Sequence, residues 1–257
     1  MLPDTYRMLA ERESYYWWHK ARRHLSKELL RRSGVSSGCS FLDLGSGTGG
    51  SWLFQHEMNS SLGVGVDLSP IALEETKKKY RDANLIRADL NKPLPFRGES
   101  FDVITIFNVL YHKWVMSEES VVFESYRVLK PGGFLLVTEP AFRILERNMD
   151  LISMGKRRYS RLDVEKWCCD AGLEVIYSGY FTSFGFFVVL LEKILRGFVS
   201  KFLRMNASPS LDTHRINPII NNFLNKLADL ESLLISHGVR FPVGTTVVCL
   251  ARKSRGL

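Results

Sequence analysis

At 257 residues, 45% hydrophobic and 24% charged, the chain has the makeup of a globular protein, with length for one sizeable α/β domain but not for two plus a linker. A net charge of +8 permits an anionic partner, but the basic residues are dispersed (Arg22-Arg23, Arg31-Arg32, Lys77 to Lys79, Lys156 to Arg158, then Arg252, Lys253 and Arg255), so a solvated surface is expected and a nucleic-acid partner is not. Cys39, Cys168, Cys169 and Cys249 lack metal-ligand spacing and the amino terminus lacks a signal-peptide pattern, so no metal site is expected and the thiols are taken as reduced and mostly buried in a cytoplasmic protein.

In chain order, residues 5–32 are helix-prone, and Gly34 and Gly38 punctuate the chain before the first strand. Apolar runs of strand length follow at 40–44, 63–67, 84–88, 103–107, 134–138, 174–180 and 246–251, with helical patterns near 49–57, 70–81, 117–129 and 161–171 between them. This alternation predicts a doubly wound α/β sheet. Ser69-Pro70 reads as an N-cap with Pro at the first helical position, and Ser160 to Asp163 as a capping box. The stretch between the sixth and seventh strands is long enough for two further helices, near 184–204 and 217–236. The expected organisation is thus one domain: an N-terminal helical lid (1–38), a ligand-binding core (39–180), a helical cap insertion (181–240), then the final strand and tail (241–257).

Phe41-Leu42-Asp43-Leu44-Gly45-Ser46-Gly47-Thr48-Gly49-Gly50 is an apolar strand ending in a glycine turn that opens a helix. Glycines are needed there so that the backbone can turn sharply and let a ligand approach. Alone, the turn fits a dinucleotide site (Gly45, Gly47, Gly50) as well as an adenosylmethionine site (Gly45, Gly47, Gly49). Asp67 ends the next strand 22 residues after Gly45, where it can accept bonds from ribose hydroxyls, and Asp89 and Leu90 end the third where an adenine would lie. Ser100-Phe101-Asp102-Val103-Ile104 and Leu129-Lys130-Pro131-Gly132-Gly133-Phe134 follow in order.

This ordered set resembles the class I S-adenosylmethionine-dependent methyltransferase superfamily, which implies a Rossmann-like seven-stranded sheet with an antiparallel last strand and S-adenosyl-L-methionine as cofactor. The resemblance implies that Gly45, Gly47 and Gly49 line the methionine part, with Asp43 near its amino group and Ser46 and Leu68 also among the cofactor-binding residues. It implies Asp67 on the ribose, Asp89 and Leu90 around the adenine, and Asn108 facing the cofactor. Trp17-Trp18-His19-Lys20-Ala21-Arg22-Arg23, Glu139-Pro140-Ala141-Phe142, Lys156 to Ser160 and Phe241-Pro242-Val243-Gly244 further resemble a bacterial type 11/12-like subgroup. This chain departs from the subgroup by having Met149 and Gly155 at two places where it carries histidine.

Trp18 and Arg22, four apart on a helix, can fold over the cofactor with the guanidinium toward its carboxylate, or simply pack. Methyl transfer is an in-line displacement, so positioning dominates, and a base serves only if the nucleophile must lose a proton. His112 is the candidate catalytic base, because 108–112 follow the fourth strand at the carboxyl edge; capping that turn is the alternative. Tyr111, Glu139 and Tyr159 are candidate substrate contacts. The expected acceptor is an oxygen or nitrogen of a small molecule: a sugar, a natural-product scaffold or a lipid-linked intermediate. An NAD-dependent oxidoreductase and a non-catalytic binding module are the alternatives, disfavoured by Asp89, the Pro-Gly-Gly motif and the intact glycines. Residues 184–204 combine Phe186, Phe187, Leu190, Leu191, Ile194, Leu195, Phe198 and Phe202 with Lys193, Arg196, Lys201 and Arg204. They are too short and too interrupted to span a bilayer. A buried cap, a homodimer contact in place of a monomer, and a peripheral membrane contact all remain open.

Overall fold

A computed structural model describes residues 3–146, 150, 153–203 and 217–255. Its centre is a seven-stranded sheet: β1 Ser40–Leu44, β2 Leu62–Asp67, β3 Asn84–Arg87, β4 Phe101–Phe107, β5 Leu129–Pro140, β6 Leu173–Phe181 and β7 Thr246–Lys253, in the order β3-β2-β1-β4-β5-β7-β6. β1 to β5 pair in parallel, and β7 runs antiparallel to both β5 and β6. The expected α/β Rossmann-like sheet with a reversed last strand is therefore present.

The helices are α1 Pro3–Arg12, α2 Trp17–Arg32, α3 Gly50–Glu57, α4 Pro70–Lys79, α5 Glu118–Val128, α6 Arg161–Asp170, α7 Ser183–Leu203 and α8 Pro218–Ser236. Side chains alternate across the strands and feed a core on each face of the sheet. On β1, Leu42 and Leu44 join Val121, Val164 and Trp167 from α5 and α6, while Phe41 joins Leu25 and Leu30 of α2, Phe54 of α3 and Ile235 of α8. Covering both faces explains why the central strands read as near-continuous apolar runs. Ser69 accepts the Ala72 N–H at the start of α4, and Ser160 and Asp163 close a reciprocal capping box at α6.

The structure departs from the sequence expectations in four places. The helix-prone segment 5–32 is two helices, broken at residues 13–16, where the Glu13 carbonyl accepts a bond from Arg23 and its side chain turns inward. β5 begins at Leu129, ahead of the Pro-Gly-Gly turn, because Leu129 already pairs with Phe101 across a register shift. Cys168 and Cys249 are buried with sulfurs 4.0 Å apart, but Cys39 is only half-buried and Cys169 is exposed, so the thiols are not mostly buried. Finally, α8 packs on α2 while α7 over 183–195 leaves much of its apolar face in solvent, so that part of α7 is not a buried cap.

Strand order reverses between β1 and β4. Their diverging carboxyl ends open a crevice, the place where α/β sheets bind ligands. Gly45, Asp67 and Asn108 stand at the ends of β1, β2 and β4 beside it.

Candidate functional site

The glycine turn is fixed by its surroundings. The N–H groups of Gly45 and Ser46 both donate to the Val66 carbonyl, at 2.7 and 2.9 Å. Gly45 has φ +77°, and a Cβ there would run into the Val109 side chain, so conformation and space both demand glycine. Gly49 (φ +99°) is the N-cap of α3, whose first turn faces the crevice.

Two acids bracket the turn. Asp67 accepts the Gly47 N–H at 2.9 Å through Oδ2 and the Ser69 N–H at 2.8 Å through Oδ1. Burial raises its pKa against those bonds. Asp43 is fully buried and accepts the Thr105 hydroxyl at 2.6 Å. Burial pushes its pKa up to about 6, opposed by Thr105, Ser51 and the Arg22 charge.

The first two helices close over this crevice. Arg22 lies 5.0 Å from the Trp18 ring centroid and 4.8 Å from that of Phe107, and its Nη1 donates to Asn108 Oδ1 at 3.3 Å. Burial lowers the Arg22 pKa to about 10, which leaves a full charge at neutral pH. Asn108 takes φ +58° and donates its N–H to Thr138 O, which turns the chain outward after β4. Asp89 accepts both the backbone and side-chain N–H groups of Asn91 through Oδ1 and so shapes the loop after β3.

These elements enclose one cavity of about 870 Å³ that runs from the glycine turn to α7. Gly45, Ser46, Gly47, Asp67, Leu68, Asp89, Leu90, Asn108, Trp18 and Arg22 all stand on its wall. Asp43 and Gly49 do not; they lie behind the turn and shape it. Around the turn, Arg22 Nε, His19 Nδ1 and Ser46 Oγ are buried without a hydrogen-bond partner. A ligand with a carboxylate and an amino group would satisfy such atoms, and buried polar groups are rarely left unpaired.

Residues 42–137 match the family model described as a methyltransferase domain. Residues 42–137 are thus a methyltransferase domain, with the glycine turn expected of the class I, S-adenosylmethionine-dependent superfamily. Its orphaned polar atoms would suit the amino-acid tail of S-adenosylmethionine, and Asp67 would suit the ribose. Among curated proteins, the chain is 30% identical over 161 residues to a demethylmenaquinone methyltransferase of Tropheryma whipplei, covering 56% of this chain and 66% of that one. It is 33% identical over 135 residues to a ubiquinone/menaquinone biosynthesis C-methyltransferase of Blochmanniella pennsylvanica, covering 48% and 52%. The chain thus spans between half and just under two thirds of these relatives. In fold it resembles phosphoethanolamine N-methyltransferase 2 of Haemonchus contortus, solved in complex with S-adenosyl-L-methionine. That match has a TM-score of 0.56 and 21% identity and covers 90% of this chain and 52% of that one.

The other half of the cavity in this methyltransferase domain is mainly apolar, walled by Trp17, Pro140, Leu145, Phe184, Val188 and Leu224. Its polar end holds Tyr111, His112 and the Arg158–Asp150 ion pair, in which Arg158 Nε and Nη2 meet the carboxylate at 2.9–3.1 Å. The His112 imidazole is held against the backbone of Ser153 and Met154, and burial lowers its pKa to about 4. Burial also raises the Tyr111 hydroxyl, which bonds Ser153.

Two expected substrate contacts lie elsewhere. Glu139 is fully buried, off the cavity wall, and accepts the N–H groups of Val109, Leu110 and Tyr111 at 2.8–3.3 Å. Burial pushes its pKa up to about 8 against those three donors. Its work is to hold the loop that carries Tyr111 and His112. The Tyr159 hydroxyl is buried, 2.6 Å from Glu118 and 2.9 Å from the Leu110 carbonyl, which leaves it nothing to offer a substrate.

Of the two departures from the subgroup, Gly155 lies against Tyr111, where a Cβ would come within 2.7 Å of the ring. Met149 lies outside the described residues. The cavity also recruits groups that sequence reasoning missed. Glu13, at the break between α1 and α2, is buried with Lys79 3.5 Å away, and α1 adds Tyr6, Met8 and Leu9. No local motif signals them, because only the folding of α1 across the turn brings them there. Arg158 stood within the Lys156 to Ser160 motif, but its pairing with Asp150 was not legible.

Proposed function

We propose that the protein transfers the methyl group of S-adenosylmethionine to a small acceptor whose body is apolar and whose nucleophilic atom meets Tyr111 and His112. The supporting observation is one continuous cavity, with the glycine turn and Asp67 at one end and an apolar chamber at the other. When bound, S-adenosylmethionine supplies an electrophilic methyl carbon. The chain's own contribution is placement, for which effective-molarity effects allow about 7–11 kcal/mol. Arg22, Ser46 and Asp67 orient the cofactor, the apolar walls exclude water, and His112, neutral and held by the backbone of Ser153 and Met154, stands at the polar end as the candidate proton acceptor.

The lining disfavours the sugar considered from sequence, since it would leave many hydroxyls without partners. A natural-product or lipid-linked acceptor suits it better. The names of the curated relatives add a quinone-ring carbon to the oxygen and nitrogen acceptors expected from sequence. Incubation with methyl-tritiated S-adenosylmethionine and a demethylated naphthoquinol, an alkylphenol, an alkylamine or a sugar tests this. Label should pass into an apolar, solvent-extractable product, whose NMR spectrum identifies the methylated atom. Label in the sugar alone, or in nothing while the cofactor is bound, defeats the proposal.

A further inference from the structure

We infer that the outer face of α7 docks on an anionic lipid bilayer and that the acceptor enters the cavity from that surface. This rests on the apolar-acceptor reading above and extends it to the route of entry.

Phe187, Val188, Leu191, Ile194 and Leu195 fall at i, i+1, i+4, i+7 and i+8, one face of the helix, and each is exposed by 48–63%. A second element adjoins them: Ile144, 58% exposed, belongs to the short helical turn Arg143–Leu145, and its carbonyl accepts Lys193 Nζ of α7 at 2.9 Å. An apolar face of this size marks an interaction site rather than ordinary surface.

Two observations select a bilayer as its occupant. The first is continuity with the cavity: Val188 is exposed on the outer face yet lines the chamber, beside Phe184 and Val189 of the same helix, while Leu145 of the neighbouring turn lines it too. A partner protein seated here would block an apolar acceptor, whereas a bilayer would deliver one. The second is charge: the sequence of 183–204 holds four basic residues, Lys193, Arg196, Lys201 and Arg204, against the single acid Glu192, while on the adjoining turn Arg143 and Glu146 are both exposed and offset one another. An apolar stripe flanked by basic residues is the composition of helices that lie in the headgroup layer. Among the described residues no helix is long and apolar enough to cross a membrane, which leaves contact in the plane of the surface.

Vesicle co-sedimentation of the full chain tests the inference. The protein should bind vesicles of phosphatidylcholine with phosphatidylglycerol, and pure phosphatidylcholine much less. Binding should fall at least about tenfold in the Leu191→Glu/Ile194→Glu variant, since both side chains lose their apolar contact with the lipid. Equal adenosylhomocysteine binding and an equal melting temperature would show the variant intact. A chain that ignores anionic vesicles, or a variant that binds them as well as the native chain, overturns the inference. So does a homodimer that the same substitutions dissolve while vesicles are ignored. Failure of the acceptor reading itself shows separately, as absent methyl transfer to a water-soluble short-chain acceptor without vesicles.

Discussion

The Asp67 carboxylate accepts the Gly47 N–H at 2.9 Å, which ties the end of β2 to the turn after β1. One acid thus holds the shape of the glycine turn and presents its charge to the crevice. Asp67→Ala should weaken adenosylhomocysteine binding by about tenfold to a hundredfold, the loss of a charge-assisted hydrogen bond worth about 1.5–3 kcal/mol. Calorimetry reads this directly, and an unchanged dissociation constant refutes the assignment.

Arg22 is the cleaner probe of the N-terminal helices. Removing them would strip Ala21, Leu25, Leu29 and Leu30 from the core, so a deletion reports on folding rather than on the ligand. Arg22→Met keeps the apolar packing against Trp18 and Phe107. It should weaken adenosylhomocysteine about tenfold or more, as a charged partner of the carboxylate is lost. Methylthioadenosine, which has no carboxylate, should bind both proteins alike; equal losses for the two ligands would deny Arg22 that contact.

Asp43 should make cofactor binding depend on pH. Its folded pKa of about 6 lies above the ordinary 3.8, so its ionisation is disfavoured in the ligand-free fold. The stability this shift lends is complete below the unfolded value and lost as pH rises through about 6. Asp43 lies behind the turn, so a cationic amino group seated on the turn would favour its ionised form through the field alone, and adenosylhomocysteine affinity should fall as pH drops from 7.5 to 5. Asp43→Asn should flatten that dependence and raise the melting temperature at pH 7.5. A variant that keeps the native pH dependence would remove Asp43 from the account.

His112, with a pKa near 4, is neutral from pH 5 to 8. His112→Ala should leave adenosylhomocysteine affinity unchanged and slow turnover at least about tenfold, within the range of a lost general base. The native pH–rate profile should carry no histidine inflection near 6.5. Normal turnover in the variant would confine His112 to holding the 153–155 segment.

Where function depends on local backbone, the sequence was legible. Gly45, Asp67 and Ser69-Pro70 act through turn geometry, strand ends and capping, all set within a few residues. The apolar strands read clearly for a similar reason: burial on both faces of a sheet leaves a mark on composition. The roles of Glu139 and Tyr159 did not read, because polar residues beside a motif look the same whether they face a ligand or hold a loop. Only their partners, three backbone N–H groups and the Glu118 carboxylate, distinguish the two.

By itself, then, the sequence determined the sheet, the glycine turn and the order of the acids that follow it, since each follows from residue type at short range. The tertiary structure alone decided which groups close the cavity. Glu13 and Arg22 reach it because α1 and α2 fold across the turn, and Arg158 meets Asp150 because the chain returns past β5. It also decided that α7 keeps an apolar face in solvent. A helical repeat states that a face is apolar, but only packing settles what, if anything, covers it.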